Sequence, residues 1–225
     1  DAFIRMVNSL SDTSFRFFYR EMTSLEVIED IYTNRADVGF IMYPAHKEAE
    51  IQDRLMLRHL EFHPLFRSPT QFFCRVGHPI LNERENLTPE KLYQYNFVLY
   101  PSENTRNRAV ESLYNDETLQ LINWNLVPQV IYVNSRASLH NLIQRSDYIG
   151  IGMIPVREQE ENYNIVSFPL PDWMKPEADR CGDFVAAYIH QKSSSLPKAA
   201  KAYITFLEQY YGPESGYKEK LELKE

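Results

Sequence analysis

The chain has 225 residues, of which 44% are hydrophobic and 24% are charged, a balance typical of a globular protein with a buried core. Its formal net charge of -7 excludes a nucleic-acid interface spread over the chain as a whole. No apolar run is long enough to span a bilayer and no signal-peptide pattern opens the chain, so the expected location is cytoplasmic.

The first residues predict a helix followed by a strand-helix-strand unit. Residues 2–10 carry apolar side chains at a helical period, and the aromatic-rich segment 14–20 (SFRFFYR) is typical of a strand. A helix capped by Thr23 or Ser24 follows, and then the apolar run DVGFIM indicates a strand that is covered on both faces. This order predicts a βαβ unit with two parallel strands.

The rest of the chain alternates between predicted strands and predicted helices. Residues 55–76 read as two extended segments divided around Ser68-Pro69, and Thr88 is expected to cap a helix that begins at Pro89. Further strands are predicted at 96–101, 129–133, 148–153, 164–170 and 183–190, and further helices at 105–114, after Asn134 or Ser135, and at 196–210. This alternation predicts an α/β protein with mostly parallel sheets, followed by a charged, loosely held tail.

One short phrase occurs twice in the chain. GFIMYP at 39–44 and GIGMIP at 150–155 share Gly, Met and Pro at the same offsets, and an Asp precedes each of them. Each phrase predicts a strand that stops at a proline. Since ligands of open α/β sheets bind outside the carboxyl ends of strands, two such ends predict a two-lobed ligand-binding protein.

The chain contains no motif that carries chemistry. Nucleotide-binding loops, the serine hydrolase elbow and the zinc-protease motif are all absent from the sequence. The six histidines are scattered, and none forms a metal-like cluster with carboxylates or cysteines at helical spacing. We therefore predict no enzyme activity, no catalytic residues, no cofactor and no metal site. Cys74 and Cys181 are too few for a disulfide framework, and Cys74 is expected to be a small buried hydrophobe rather than a redox sensor.

Six segments, taken in order, resemble a known family. They are the pattern from Leu25 to Ile41, CRVGHP (74–79), LTPEKL (87–92), YNFVLY (95–100), VNSRASLHNLI (133–143) and DYIGIGMIP (147–155). Over residues 2–211 the chain is similar to the effector-binding domain of LysR-type transcriptional regulators. The resemblance implies an α/β fold of two Rossmann-like subdomains joined by two crossover strands, like type II periplasmic binding proteins.

The resemblance also implies a division of the chain. Residues 1–74 and 185–212 would form a discontinuous regulatory subdomain I, residues 75–184 subdomain II, and residues 213–225 a charged C-terminal tail. The crossovers would fall near Phe72–Val76 and Asp183–Ala187. The family's first strand, winged helix-turn-helix and linker helix are not found in the sequence, so we expect the physiological protein to be longer at its N-terminus.

The function that the resemblance implies is effector sensing in a bacterial transcription factor. A small metabolite, expected to be an anion, would bind between the subdomains and change their conformation. This change would be transmitted to the absent N-terminal winged helix-turn-helix domain. The expected partners are this effector, a second copy in a homodimer or tetramer, and DNA only through the absent domain, with no membrane. A solute-binding protein of a transporter with the same fold is the alternative, and an enzyme on this scaffold is a third reading.

Candidate effector contacts come from helix starts and strand ends. Backbone N–H groups at a helix start bind anions, and three helix starts carry hydroxyl or amide side chains: Thr23-Ser24, Ser102–Asn104 and Asn134-Ser135. The candidate residues are Thr23, Ser24, Met42, Tyr100, Ser102, Asn134, Ser135 and Pro155. For each of them the alternative is a structural role, as a helix cap or a packed core residue. Arg67 is a further candidate for an acidic effector, against a role as a solvated surface arginine.

Overall fold

The computed structural model describes residues 2–10, 16–100, 122–153, 163–174, 183–192 and 195–212. The helices are α1 (Ala2–Ser9), α2 (Ser24–Tyr32), α3 (Glu48–Leu57), α4 (Pro89–Leu92), α5 (Arg136–Arg145) and α6 (Lys198–Tyr211). The strands are β1 (Gly39–Pro44), β2 (Leu60–Ser68), β3 (Thr70–Arg75), β4 (Asn96–Leu99), β5 (Val130–Tyr132), β6 (Tyr148–Met153), β7 (Ile165–Pro169) and β8 (Phe184–Gln191). The predicted helix at 105–114 and the predicted tail lie outside the described residues. None of the described helices is both long enough and apolar enough to cross a bilayer.

The chain divides into two compact units. The first contains the chain up to Tyr43, Lys47–Arg67 and the chain from Val185 onward, and the second contains Pro44–His46 and Ser68–Phe184. The chain passes from the first unit into the second between Arg67 and Ser68, and the strand β3 that follows hydrogen-bonds into the sheet of the second unit. The later crossing lies at 184/185.

The sheet of the first unit has the strand order β1-β8-β2. The Ala45 N–H donates to the Asp183 carbonyl (2.6 Å), and the Lys192 N–H donates to the His59 carbonyl (3.1 Å). Strand β8 thus begins where β1 ends and ends where β2 begins, which makes it antiparallel to both neighbours. From Phe184 to Ile189 this central strand is almost completely buried.

The predicted strand at 14–20 is wrong over its described part. Residues 16–20 form no strand, so the predicted βαβ unit around α2 is wrong as well. The rings of Phe17 and Tyr19 instead pack on Phe3 of α1, with centroid distances of 5.7 and 4.8 Å. Aromatic residues favour strands because they fit a half-buried surface, and here the surface they cover is a helix.

The sheet of the second unit has the strand order β5-β4-β6-β3-β7. Strand β4 is parallel to β5 and β6, whereas β3 is antiparallel to β6 and β7. The prediction of mostly parallel sheets is therefore wrong. Two of the four strand pairings in this sheet are antiparallel, and β8 is antiparallel to both of its neighbours in the sheet of the first unit. The antiparallel strands β3 and β8 each lie next to a position where the chain passes from one unit to the other. The alternation of helices and strands along the sequence does not show the direction in which such strands run.

Both faces of the second sheet are buried. Alternate residues point to opposite faces, so Phe72 and Phe97 join one apolar cluster while Phe73 and Val98 join another. Helix α5 covers the second cluster with Leu139 and Ile143. The predicted strands in residues 60–75, 96–99, 130–132, 148–153, 165–169 and 184–191 are confirmed, as is Thr88 as the N-cap of α4.

The glycines of the repeated phrase are sites of close packing. A Cβ on Gly39 would lie 2.4 Å from Val27 Cγ1, so the glycine allows α2 to pack closely on β1. Gly150 on β6 is the register partner of Phe73 on β3, and a Cβ there would lie 2.2 Å from the Phe73 ring. The repeated phrase therefore marks one closely packed strand in each unit.

Candidate functional site

The carboxyl edge of the second sheet gathers several of the predicted site residues. Leu99 of β4 pairs with Tyr132 of β5, and the Val133 N–H donates to the Leu99 carbonyl (2.9 Å). Tyr100 directly follows β4, and Asn134 follows β5 after Val133. Because β4 and β5 are parallel, both residues lie at the same edge, where ligands of α/β sheets bind.

The start of α5 lies at this edge, and its cap and first turn contain no acidic residue. Ser135 is the N-cap, and its Oγ accepts a hydrogen bond from the Ser138 N–H (3.5 Å). The Ser135 hydroxyl proton has no acceptor among the residues that the structure describes, and the exposed Asn134 amide also hydrogen-bonds to none of them. The first turn contains Arg136 and no acidic residue, so its charge adds to the positive end of the helix dipole.

Tyr100 also contacts the core of the second unit. Its side chain is half-buried and packs against the apolar cluster that contains Phe73, Val98 and Leu139. The core contact anticipated as the alternative for this residue is therefore real. A half-buried tyrosine still presents part of its surface to the sheet edge.

The start of α2 in the first unit has a different electrostatic character. Thr23 and Glu26 form a capping box: the Thr23 N–H and hydroxyl both donate to Glu26 Oε2 (2.8 Å each), and the Glu26 N–H donates to Thr23 Oγ1 (3.3 Å). The carboxylate thus stands where an anion would bind, and it already stabilises the helix dipole. The hydroxyl proton of Thr23 is used within the cap.

Ser24 connects α2 to β1. Its hydroxyl donates to the Met42 carbonyl (2.7 Å) and accepts from the Met42 N–H (3.0 Å). Met42 is half-buried at the end of β1. Since the single proton of the Ser24 hydroxyl is used in this link, the side chain has none left to donate to an effector.

The remaining predicted residues divide into two groups. Ser102 and Pro155 lie outside the described residues. Arg67 is paired with Glu48, with 2.5 Å between Nη2 and Oε2, so its charge is partly neutralised.

Sequence reasoning missed the neighbouring Tyr43, which is completely buried and whose hydroxyl has no hydrogen-bond partner within the described ranges. Burial, followed by the charge of Glu48, raises the pKa of Tyr43.

Cys74 is a buried free thiol near the end of β3. Burial raises the pKa of this thiol to about 12, and the neighbouring Arg75 only partly opposes this effect. A thiol reacts as the thiolate, and this one stays protonated at neutral pH. The structure agrees with the expectation that Cys74 is a small buried hydrophobe.

The structure brings together side chains that the prediction of no metal site overlooked. Within the described residues one atom from each of Glu61, His63 and His190 lies within 4.8 Å of the others, an arrangement that could hold a metal ion. The residues lie on the strands β2 and β8, so their spacing along the chain is not that of ligands on one helix. The available signal was Glu-x-His on a strand, because residues at i and i+2 share one face.

Comparison with known proteins identifies the family to which the chain belongs. The LysR substrate binding domain model matches residues 16–212, and the chain belongs to this family. Its fold is that of type II periplasmic binding proteins, as predicted. The family consists of effector-binding domains of regulators and is not an enzyme family. No curated protein sequence shows significant similarity to the chain.

Solved structures agree on the fold at low sequence identity. The effector-binding domain of QuiR in complex with shikimate is 16% identical, with a TM-score of 0.55 over 93% of this chain and 88% of that one. The regulatory domain of MetR from N. meningitidis, a LysR family regulator, is 14% identical, with a TM-score of 0.51 over 96% and 86%. A full-length OxyR variant from Pseudomonas aeruginosa is 12% identical, with a TM-score of 0.54 over 84% and 58%.

Proposed function

We propose that this effector-sensing domain binds a small organic anion at the carboxyl edge of its second sheet, with the start of α5 as the anion-binding element. The observation that carries this proposal is the contrast between two helix starts. Ser135 has a hydroxyl proton without a described acceptor beside Arg136, whereas the start of α2 is already neutralised by Glu26. Tyr100 and Asn134 supply further polar contacts, and membership of a family of effector-binding domains supports a ligand at this edge.

The bound anion acts by shifting a conformational equilibrium. An effector changes the populations of two forms only to the extent that it binds one of them more tightly. In this proposal the regulator acts in the cytoplasm, and the shift passes to a DNA-binding domain of the kind that the family carries. No covalent chemistry is required.

A thermal-shift screen of small carboxylates tests the proposal. Shikimate, the ligand in the QuiR complex, is a rational first member of the panel, and uncharged polyols of similar size are the controls. A ligand present at 100 times its dissociation constant stabilises the folded chain by about 2.7 kcal/mol, which raises the melting temperature measurably. Stabilisation by polyols and by no anion would contradict the proposal.

The first prediction concerns Ser135. Replacing it by alanine removes a hydrogen bond to a charged ligand, worth about 1.5–3 kcal/mol, so the affinity for the anion found in the screen falls by about tenfold or more. Isothermal titration calorimetry measures the affinity. The matched control is Thr88→Ala, since Thr88 also caps a short helix of the second unit, with a similar bond to the Lys91 N–H (3.4 Å).

The two variants separate binding from helix stability. Each loses an N-cap at a cost of about 1 kcal/mol in folding free energy, so both melt at a lower temperature. Only Ser135→Ala loses affinity for the anion. Equal affinities in the two variants would show that Ser135 is only a cap and would remove the basis of the proposal.

The homodimer is part of the same proposal, and the surface of the first unit supports it. Helix α1 buries Ala2 and Met6 but exposes Ile4 (59%) and Val7 (44%) on its other side. Nearby in sequence Phe18 is 93% exposed and Tyr19 59% exposed. Large apolar side chains grouped on a surface indicate a protein interface.

The second prediction is that Ile4→Glu makes the chain monomeric. A carboxylate placed in an apolar interface loses its hydration and opposes association. Light scattering coupled to size-exclusion chromatography measures the mass, with Leu57→Glu as the control, because Leu57 is 77% exposed on α3. A mass that stays unchanged in Ile4→Glu, or that changes equally in Leu57→Glu, would place the interface elsewhere.

A further inference from the structure

A group of two histidines and one carboxylate lies on one face of the first sheet. Since β8 is antiparallel to β2, Glu61 lies opposite His190 and His63 lies opposite Tyr188. The side chains of Glu61 and His63 are 37% and 39% exposed, and that of His190 is 13% exposed. The group is therefore partly covered by protein and open to water on one side.

The distances within this group suit a bound metal ion. Glu61 Oε2 lies 3.5 Å from His63 Nε2 and 3.5 Å from His190 Nε2. Two ligands of a tetrahedral ion with bonds of 2.0–2.1 Å are separated by about 3.3 Å, close to both of these separations. The carboxylate oxygen thus stands between two imidazole nitrogens at the spacing that a shared ion requires.

The lone pairs are available. The Nδ1 atom of His190 lies 3.0 Å from the Gln191 carbonyl, which only accepts hydrogen bonds, so Nδ1 carries the proton and Nε2 has the free lone pair. His63 Nε2 is buried and has no hydrogen-bond partner in the described part of the chain. Buried polar atoms are normally satisfied, so an unsatisfied nitrogen facing a carboxylate indicates a missing partner.

The rings are also held in place from behind, as the ligands of metal sites are. The His63 ring stacks on Tyr188, with 4.5 Å between centroids and 8° between planes. The Tyr188 hydroxyl donates to Glu208 Oε1 of α6 (2.6 Å), which fixes the tyrosine. The two histidine rings are nearly parallel, with 18° between their planes and 5.2 Å between their centroids, and the Nε2 atom of each lies 3.5 Å from Glu61 Oε2.

We infer that Glu61, His63 and His190 bind a divalent transition metal such as Zn²⁺, with the remaining coordination positions open to water or to a further ligand. Two imidazoles and one carboxylate suit a divalent transition metal. They do not suit Mg²⁺ or Ca²⁺, which take oxygen ligands. The ion links β2 to the central strand β8 and so stabilises the first unit. The three ligands belong to the first unit, and this inference does not depend on the proposed function.

Calorimetric titration of the metal-free chain with Zn²⁺ tests the inference. We expect one ion per chain, and a higher melting temperature in its presence, because an ion that binds only the folded chain stabilises it. Co²⁺ as a probe should give the visible absorption bands of a four-coordinate site. His63→Gln and His190→Gln should each weaken Zn²⁺ binding by more than about 100-fold, since even partners outside the coordination shell contribute 10–100-fold.

Two further variants keep the test decisive. Glu61→Gln keeps the size of a partly exposed side chain and removes its charge, and it should also weaken binding. His59→Asn removes a nearby exposed histidine outside the group, and asparagine tolerates the positive φ of 55° at this position, so binding should be unchanged. Absence of stoichiometric Zn²⁺ binding, or binding that survives in His63→Gln and Glu61→Gln, would overturn the inference.

Discussion

Replacing Gly150 by alanine destabilises the second unit by about 3 kcal/mol, the upper part of the usual range for an overpacked core. The new Cβ would lie 2.2, 2.4 and 2.8 Å from three atoms of the Phe73 ring. Phe73 is 5% exposed and packs against Val98 and Leu139 in its apolar cluster, so the ring has little space to withdraw. Urea unfolding followed by fluorescence measures the loss of stability.

The effect should depend on the ring of Phe73. We expect the double variant Phe73→Leu with Gly150→Ala to lose less free energy of unfolding than the two single variants lose together, because leucine lacks the ring atoms that clash. A double-mutant cycle measures this coupling, which contacting residues normally show. If the two losses of stability simply add, close packing between Gly150 and Phe73 is not the reason for glycine at this position.

Acid should destabilise the chain through His140, a buried residue on α5. The ring is 3% exposed, its Nδ1 has no hydrogen-bond partner in the described residues, and it meets the Tyr163 ring at 4.5 Å. Burial, and secondarily the charge of Arg136, lowers the pKa of His140 from 6.5 to about 4. Between these two pKa values the imidazole is therefore neutral in the folded chain and protonated in the unfolded chain.

The sign of the pH dependence follows from this difference. Between pH 6.5 and 4 the unfolded chain binds more protons at His140, so the stability that the neutral ring contributes is complete above pH 6.5 and is lost as the pH falls toward 4. At one pKa unit per 1.4 kcal/mol, the loss is about 2 kcal/mol near pH 5 and on the order of 3 kcal/mol below pH 4. Urea unfolding across this range measures it.

His140→Gln isolates the contribution of this histidine. Glutamine does not titrate, so the variant should lose less stability than the parent chain between pH 6.5 and 4. Burial also lowers the pKa of His78, whose Nδ1 accepts from the Ile80 N–H (3.1 Å), and both chains retain that contribution. Parallel stability curves for the two chains would mean that His140 does not carry the acid sensitivity.

Local patterns in the sequence were sufficient for the class of fold and for most of its elements. The buried strand β6 appears as a continuous apolar run, and Thr88-Pro89 contains a cap and a first-turn proline within two residues. These signals are local because a strand covered on both faces and a helix start each depend on neighbouring residues. The candidates Asn134 and Ser135 were found in the same way, as polar residues before a helix.

Tertiary structure decided where the segments lie and which side chains remain available. Residues 16–20 have strand composition, yet Phe17 and Tyr19 pack on a helix, since propensity does not specify a partner. Thr23 and Ser135 are both helix caps in the sequence, but only the structure shows that the Thr23 hydroxyl is committed to Glu26 while the Ser135 proton has no described acceptor. Spacing along the chain does not encode such differences.

The group of Glu61, His63 and His190 illustrates the same limit. The class of fold was determined by periodicity and turn residues, which act between neighbours. This group exists only because β8 runs antiparallel to β2 in a register that places His190 opposite Glu61. Pairing between strands far apart in sequence depends on the whole folded chain, so the sequence provided the ligands and the tertiary structure brought them together.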